Sequence, residues 1–108
     1  MATLRILTVA DLHELSNAGE DFQVLDVRTP AEFSAGHIAG SVLLPHDQIA
    51  GWPEELDQDR RTAVICKAGV RALHAAAILD QLTGAELLVV VEGGVPDWPS
   101  LGGTLTTG

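Results

Sequence analysis

Apolar residues arrive along this chain in two rhythms. Between Thr8 and Gly19 they recur at helical spacing, as Val9, Leu12 and Leu15. Thr8 has the side chain of an N-cap, Asp11 three residues on supplies the acidic half of a capping box, and Gly19 ends the helix. His13 falls off the apolar stripe, on the solvated side. The second rhythm is the short continuous run bounded by turn formers: Arg5-Ile6-Leu7, Phe22 to Arg28, Ser41-Val42-Leu43-Leu44, Thr62 to Ile65, and Leu87 to Val91. Such runs suit strands of a parallel sheet covered on both faces, with the first at an edge. Thr29-Pro30 closes the second run and opens another helix, Pro30 fitting the first helical position. A further helix is predicted from about Val70 to Thr83, with Ala72, Ala75, Ala76, Leu79 and Leu82 on one face and Gly84 as its stop. Strands alternating with helices predict an α/β fold: a five-stranded parallel sheet with helices on both faces and right-handed crossovers. The polar stretch 46–59, broken by Gly51 and Pro53, is expected to make one or two short helical turns, packed down by Ile49, Trp52 and Leu56. The expected unit is a single domain over 1–108, with a core at about 4–100 and a small, polar, frayed tail from Gly102.

The fourth run ends on the only cysteine, Cys66, and a tight loop leads from it into the helix at Val70. A cysteine so placed has backbone N–H groups and the positive end of a helix dipole aimed at it, which favours thiolate over thiol. The competing reading is a small buried hydrophobe at a strand end. Lys67 and Arg71 bring two of the six cations into this one loop, and Gly69 lets the backbone curl with its amides inward. These features favour a nucleophile.

Composition narrows the partners. Six basic against fifteen acidic side chains leave a net charge of −9, so the surface as a whole repels nucleic acid and anionic membranes. The cations beside Cys66 are a local exception. A length of 108 residues with 46% apolar side chains suits one soluble core. A lone cysteine leaves no intramolecular disulfide and no resolving thiol; His13, His37, His46 and His74 show no metal-ligand spacing with it, so no metal is expected. The N-terminus, Met1 to Arg5, lacks a signal-peptide pattern, and no apolar run approaches membrane-spanning length. The expected location is cytoplasmic, in a reducing compartment.

Three separated motifs carry a family resemblance. Cys66-Lys67-Ala68-Gly69-Val70-Arg71 resembles the active-site loop of the rhodanese, or sulfurtransferase, homology domain. The segment from Asp26-Val27-Arg28 through Glu32-Phe33 and Gly36-His37-Ile38 to Gly40-Ser41 is similar to that family's other signature, and Glu92-Gly93-Gly94 followed by Trp98 to its closing turn. The resemblance covers about residues 4–100. It implies a three-layer rhodanese-like fold with strand order 1-5-4-2-3, the cysteine's strand at the centre. Related phosphatases of this fold carry one more residue between Cys and Arg, which widens the cradle for phosphate; four intervening residues argue for sulfur.

Read from the residues, Asp26, Arg28 and Glu32 are a charge cluster that holds a loop, because a carboxylate beside a thiolate would work against it. The resemblance gives them and His37 the same scaffolding role. His37, between Gly36 and Gly40, can donate a ring N–H to a carbonyl, or act as a base if it reaches Cys66. Trp98 is a core or rim residue, or one that shapes access to the site.

The resemblance implies a sulfurtransferase. Cys66 takes a sulfane sulfur from a small anionic donor such as thiosulfate, becomes a persulfide, and passes the outer sulfur to cyanide or a thiol, without a cofactor. The amides of Lys67, Ala68, Gly69, Val70 and Arg71 hold the persulfide, Lys67 and Arg71 attract the donor, and a sulfur-relay protein is a further partner. Arg71 is equally placed to turn back onto Glu32 or Asp26 and organise the loop. Two departures bear on the donor: Lys67 stands where many members carry Arg, and Ala72 where a Ser often follows. The alternatives are a binding or regulatory module without turnover and, less favoured, a phosphatase or arsenate reductase.

Overall fold

The computed structural model describes residues 4–108; Met1 to Thr3, on which the reading of the N-terminus partly rests, lie outside the described residues. In chain order the elements are β1 (Leu4–Thr8), α1 (Val9–Asn17), β2 (Gln23–Asp26), α2 (Pro30–Ala35), β3 (His37–Ile38), β4 (Val42–Leu43), β5 (Thr62–Ile65), α3 (Val70–Leu79), β6 (Leu87–Glu92), two 3-10 turns (Val95–Asp97 and Pro99–Leu101) and β7 (Leu105–Thr106). Five strands form one parallel sheet in the order β1-β6-β5-β2-β4. In terms of the five apolar runs this is 1-5-4-2-3, as the resemblance implies.

Alternation along the strands divides the core in two. Leu7, Val24, Ala63, Ile65, Leu88 and Val90 point to the face covered by α1 and Trp98. Leu25, Val64 and Val89 point to the other, where Ala72, Ala75, Ala76 and Leu79 of α3 lie on them. The alanines bring α3 close to the sheet, which sets its N-terminus against the end of β5. Thr8 caps α1 in a full capping box with Asp11, as the spacing predicts.

Four expectations change. His13, expected on the solvated side of α1, is half-buried with its ring edge-on to Trp98, centroids 5.0 Å apart. Helix α3 stops at Leu79, not Thr83: Gln81 and Leu82 donate to Ile78 and Leu79 in tightened turns, and Leu82, expected on the buried face, is 41% exposed. The 46–59 stretch makes isolated turns without a helix, since Pro45, Gly51 and Pro53 interrupt any longer run of i→i−4 bonds. Its packing is as expected, with Leu56 buried, Ile49 and Trp52 against it, and the Trp52 indole N–H donating to the Leu56 carbonyl at 3.1 Å. The tail is not frayed throughout: Leu105–Thr106 pair antiparallel with Ile38 and His37, and the Gly103 N–H donates to the Trp98 carbonyl at 3.0 Å. Leu105 supplies the apolar contact that its polar neighbours hide in the sequence.

Candidate active site

Cys66 follows the last residue of β5, the central strand, at the carboxyl end of the sheet where such folds carry their sites. Its side chain is 1% exposed. The sulfur accepts the Gly69 N–H at 2.9 Å and the Ala72 N–H at 3.4 Å, so the loop curls with amides inward and the first turn of α3 points at Sγ. Of the five amides expected to hold the sulfur, only that of Gly69 bonds it here; the second donor, Ala72, lies one residue beyond the loop.

Two glycines permit this curl. Gly69 is the N-cap of α3 with φ +99°, and a Cβ there would run into the Val91 carbonyl. Gly94 backs the loop from the turn after β6: a Cβ on it would overlap the carbonyls of Cys66 and Lys67, and the next residue, Val95, donates its N–H to the Cys66 carbonyl at 3.0 Å. The Glu92-Gly93-Gly94 motif is thus the floor under the cysteine loop.

Arg71 turns away from the sulfur. Its guanidinium meets Glu32 with both nitrogens, Nη1–Oε1 at 2.6 Å and Nη2–Oε2 at 2.9 Å. Glu32 also accepts the Thr29 N–H at 3.1 Å and the Thr29 hydroxyl at 3.0 Å, while the Glu32 N–H donates to Thr29 Oγ1 at 3.2 Å. One carboxylate therefore caps α2 and clamps the loop. The Arg71 guanidinium, opposed by partial burial and aided by Thr29, holds the Glu32 carboxyl down from 4.5 to about 2. Glu32 in turn raises Arg71, against partial burial, with smaller contributions from the charges of Cys66 and Asp26. Of the two readings of Arg71, the structure shows the one that organises the loop.

Asp26 and Arg28 form a buried pair beside this clamp. Arg28 donates from Nε to both carboxylate oxygens, at 2.9 and 3.1 Å, and from Nη2 to Oδ2 at 2.7 Å. Its Nη2 also reaches the Gly36 carbonyl at 2.7 Å, and its backbone N–H bonds Asp26 Oδ1 at 3.0 Å. The pair ties the end of β2 to the end of α2. His37 is buried and stacked on Phe33, with ring centroids 3.7 Å apart, and its Nδ1 lies 2.8 Å from the Phe33 carbonyl. A carbonyl only accepts, so Nδ1 carries the proton, and no hydrogen bond among the described residues links His37 to Cys66. Trp98 is a core residue, 6% exposed. Lys67 and Ala68 are exposed, and Lys67 forms no ion pair among the described residues.

Sequence reasoning missed Thr29 as a partner of Glu32, although Thr29-Pro30-Ala31-Glu32 carries the capping-box spacing. It missed the Ala72 amide because nothing in an alanine's identity marks where its N–H points.

The model of the rhodanese-like domain family matches residues 8–101 of this chain. The chain belongs to the rhodanese-like domain family. Similar proteins include the thiosulfate sulfurtransferase GlpE of Shewanella oneidensis, 29% identical, with 91% of this chain and 95% of that protein covered. A rhodanese-related protein of Thermoplasma volcanium has a solved structure with TM-score 0.74 and 33% identity, covering 96% of this chain and 99% of that one. The chain spans only 24% of the Mycobacterium tuberculosis "probable adenylyltransferase/sulfurtransferase MoeZ", to which it is 32% identical over 85% of its own length.

Proposed function

We propose that this rhodanese-like domain is a sulfurtransferase that works through a persulfide on Cys66. The observation that carries the reading is the pair of backbone N–H groups, from Gly69 and Ala72, converging on Cys66 Sγ at a helix N-terminus. Preorganised donors of this kind hold negative charge on sulfur without reorienting. In the first step the Cys66 thiolate attacks the outer sulfur of a donor such as thiosulfate; the S–S bond to the sulfonate breaks and sulfite leaves with the electron pair. In the second a thiolate or cyanide attacks the outer sulfur of the persulfide, and Cys66 leaves as thiolate. Both steps balance without a cofactor, and two displacements through one intermediate give ping-pong kinetics.

Lys67 attracts the anionic donor, while Arg71, engaged by Glu32, positions the loop. A thiosulfate sulfurtransferase among the relatives supports thiosulfate as donor. The similarity to MoeZ supports a sulfur-relay protein as a cellular partner.

The test is intact-protein mass after incubation with thiosulfate, on the wild type and Cys66→Ser. The expected result is a gain of about 32 Da, one sulfur, removed by cyanide and absent from the variant. No gain from thiosulfate or any other sulfane donor would refute the enzyme and favour a binding module that keeps the fold.

A further inference from the structure

At one end of the sheet β1 pairs with β6 on its inner side, and no described residue pairs with its outer side. Natural edge strands are blunted by charged side chains, proline or bulges, because a row of unpaired N–H and C=O groups templates further pairing, and β1 carries a single charge, Arg5. Here the only irregularity falls at the last step, between Leu7 and Thr8. The strand also carries two of the five large apolar side chains exposed among the described residues, Leu4 at 37% and Ile6 at 59%. Arg5 and Leu7 alternate onto the opposite face, and together with Ile6 they line a groove of about 480 Å³ against Asp11, Glu14 and Leu15 of α1. Arg5 closes no ion pair among the described residues.

We propose that this edge docks a second copy of the chain, the two β1 strands pairing antiparallel across a two-fold axis near Ile6 to form one continuous sheet. Side chains directly opposite in such a pair share a face, so Ile6 meets Ile6 and Leu4 lies beside the partner's Thr8. On the other face Arg5 lies beside the partner's Leu7, in the groove that holds the partner's Asp11 and Glu14. The groove therefore carries both halves of a charge pair, as a surface that binds its own copy must. The net charge of −9 opposes association at long range. At about 0.15 M salt that repulsion is screened beyond roughly 8 Å, which leaves the local pairing of Arg5 with carboxylates to decide. The cysteine loop follows the central strand and the proposed contact is made by the edge strand, so this inference does not depend on the sulfurtransferase reading.

The experiment is sedimentation equilibrium of the full chain over roughly 1 to 500 µM, where mass action separates monomer from dimer. Wild type is expected to move from 11.3 kDa towards twice that mass. Ile6→Lys places a gatekeeping charge on the edge and is expected to weaken association about tenfold or more. Arg5→Glu and Glu14→Arg should each weaken it, and the double variant should recover it, because the swap restores the pair in a self-complementary interface. Circular dichroism and urea unfolding of Ile6→Lys, at an exposed site, report that the fold is intact. A wild type that stays at monomer mass throughout overturns the proposal, as does a dimer insensitive to Ile6→Lys. Failure of the double swap to recover association overturns the stated arrangement.

Discussion

Replacing Glu32 by Gln isolates the charge of the clamp while keeping an oxygen that can accept from Thr29. A carboxyl held at about 2 against an ordinary 4.5 corresponds to an upper limit of about 3 kcal/mol of folding stability. The side chains of Arg71 and Glu32 keep 23% and 29% of their exposure, and solvent screening of such a pair brings the expected cost of Glu32→Gln to about 1 to 2 kcal/mol. The sign follows from the lowered value. The carboxylate's contribution is complete above the unfolded value near 4.5 and is lost as pH falls through the folded value near 2. Urea unfolding of wild type and Glu32→Gln should therefore differ by a constant amount from pH 7 to about pH 5, and the curves should converge between about pH 4.5 and pH 2. A double-mutant cycle with Arg71→Met should place most of the difference in the pair, and persulfide loading should slow in both single variants. A difference that persists unchanged at pH 2.5, or a coupling near zero, would refute the clamp.

The remaining expectations use the same assays. Gly69→Ala forces a Cβ at φ +99° into the Val91 carbonyl and should cost about 2 kcal/mol or more in urea unfolding, with loss of persulfide loading; unchanged values would contradict the loop geometry. Asp26→Asn leaves the buried Arg28 guanidinium without its counter-charge and should cost about 3 kcal/mol or more, so an unshifted denaturation midpoint would show the pair to be dispensable. Lys67→Glu should raise KM for thiosulfate about tenfold while Lys67→Arg stays near wild type, and an unchanged KM in the first would remove Lys67 from donor recognition.

Much of this was readable in advance where a residue type has one dominant structural use. Thr8 and Asp11 could cap only the helix that follows them, and the continuous apolar run from Leu87 to Val91 belongs in a strand covered on both faces. The strand order and the place of Cys66 came instead from the resemblance, since nothing local to Thr62–Ile65 says which strands flank it. What escaped the sequence depends on contacts between distant segments. Leu105 looks like part of a loose tail until Ile38 is seen to be its partner, and Leu82 fits the helical stripe until the tightened turns after Leu79 carry it into solvent. The Ala72 amide is invisible in the same way, because backbone direction at a helix start is set by the glycine before it and the turn behind it.

The allocation of positive charge decides how the site can meet an anion. Arg28, Arg60, Arg61 and Arg71 each close an ion pair, with Asp26, Asp21, Glu20 and Glu32 respectively, which among the described residues leaves Arg5 on the far edge and Lys67 in the loop. An arginine at the end of the cysteine loop therefore serves the loop's shape, and a capping box that reads as a purely local signal at Thr29 and Glu32 reaches across to hold it. With Arg71 committed, the anionic donor of the proposed reaction would meet one flexible point charge, Lys67, and the inward amides, in a protein whose overall charge repels it. Under the proposed sulfurtransferase reading, Lys67 offers no planar fork for a sulfonate, so orientation of the donor would fall to the backbone, whose direction the Glu32 clamp maintains. Loosening the clamp should then impair the placement of sulfur on Cys66 more than the initial attraction of the donor, which separates Glu32→Gln from Lys67→Glu as a loss in kcat against a rise in KM.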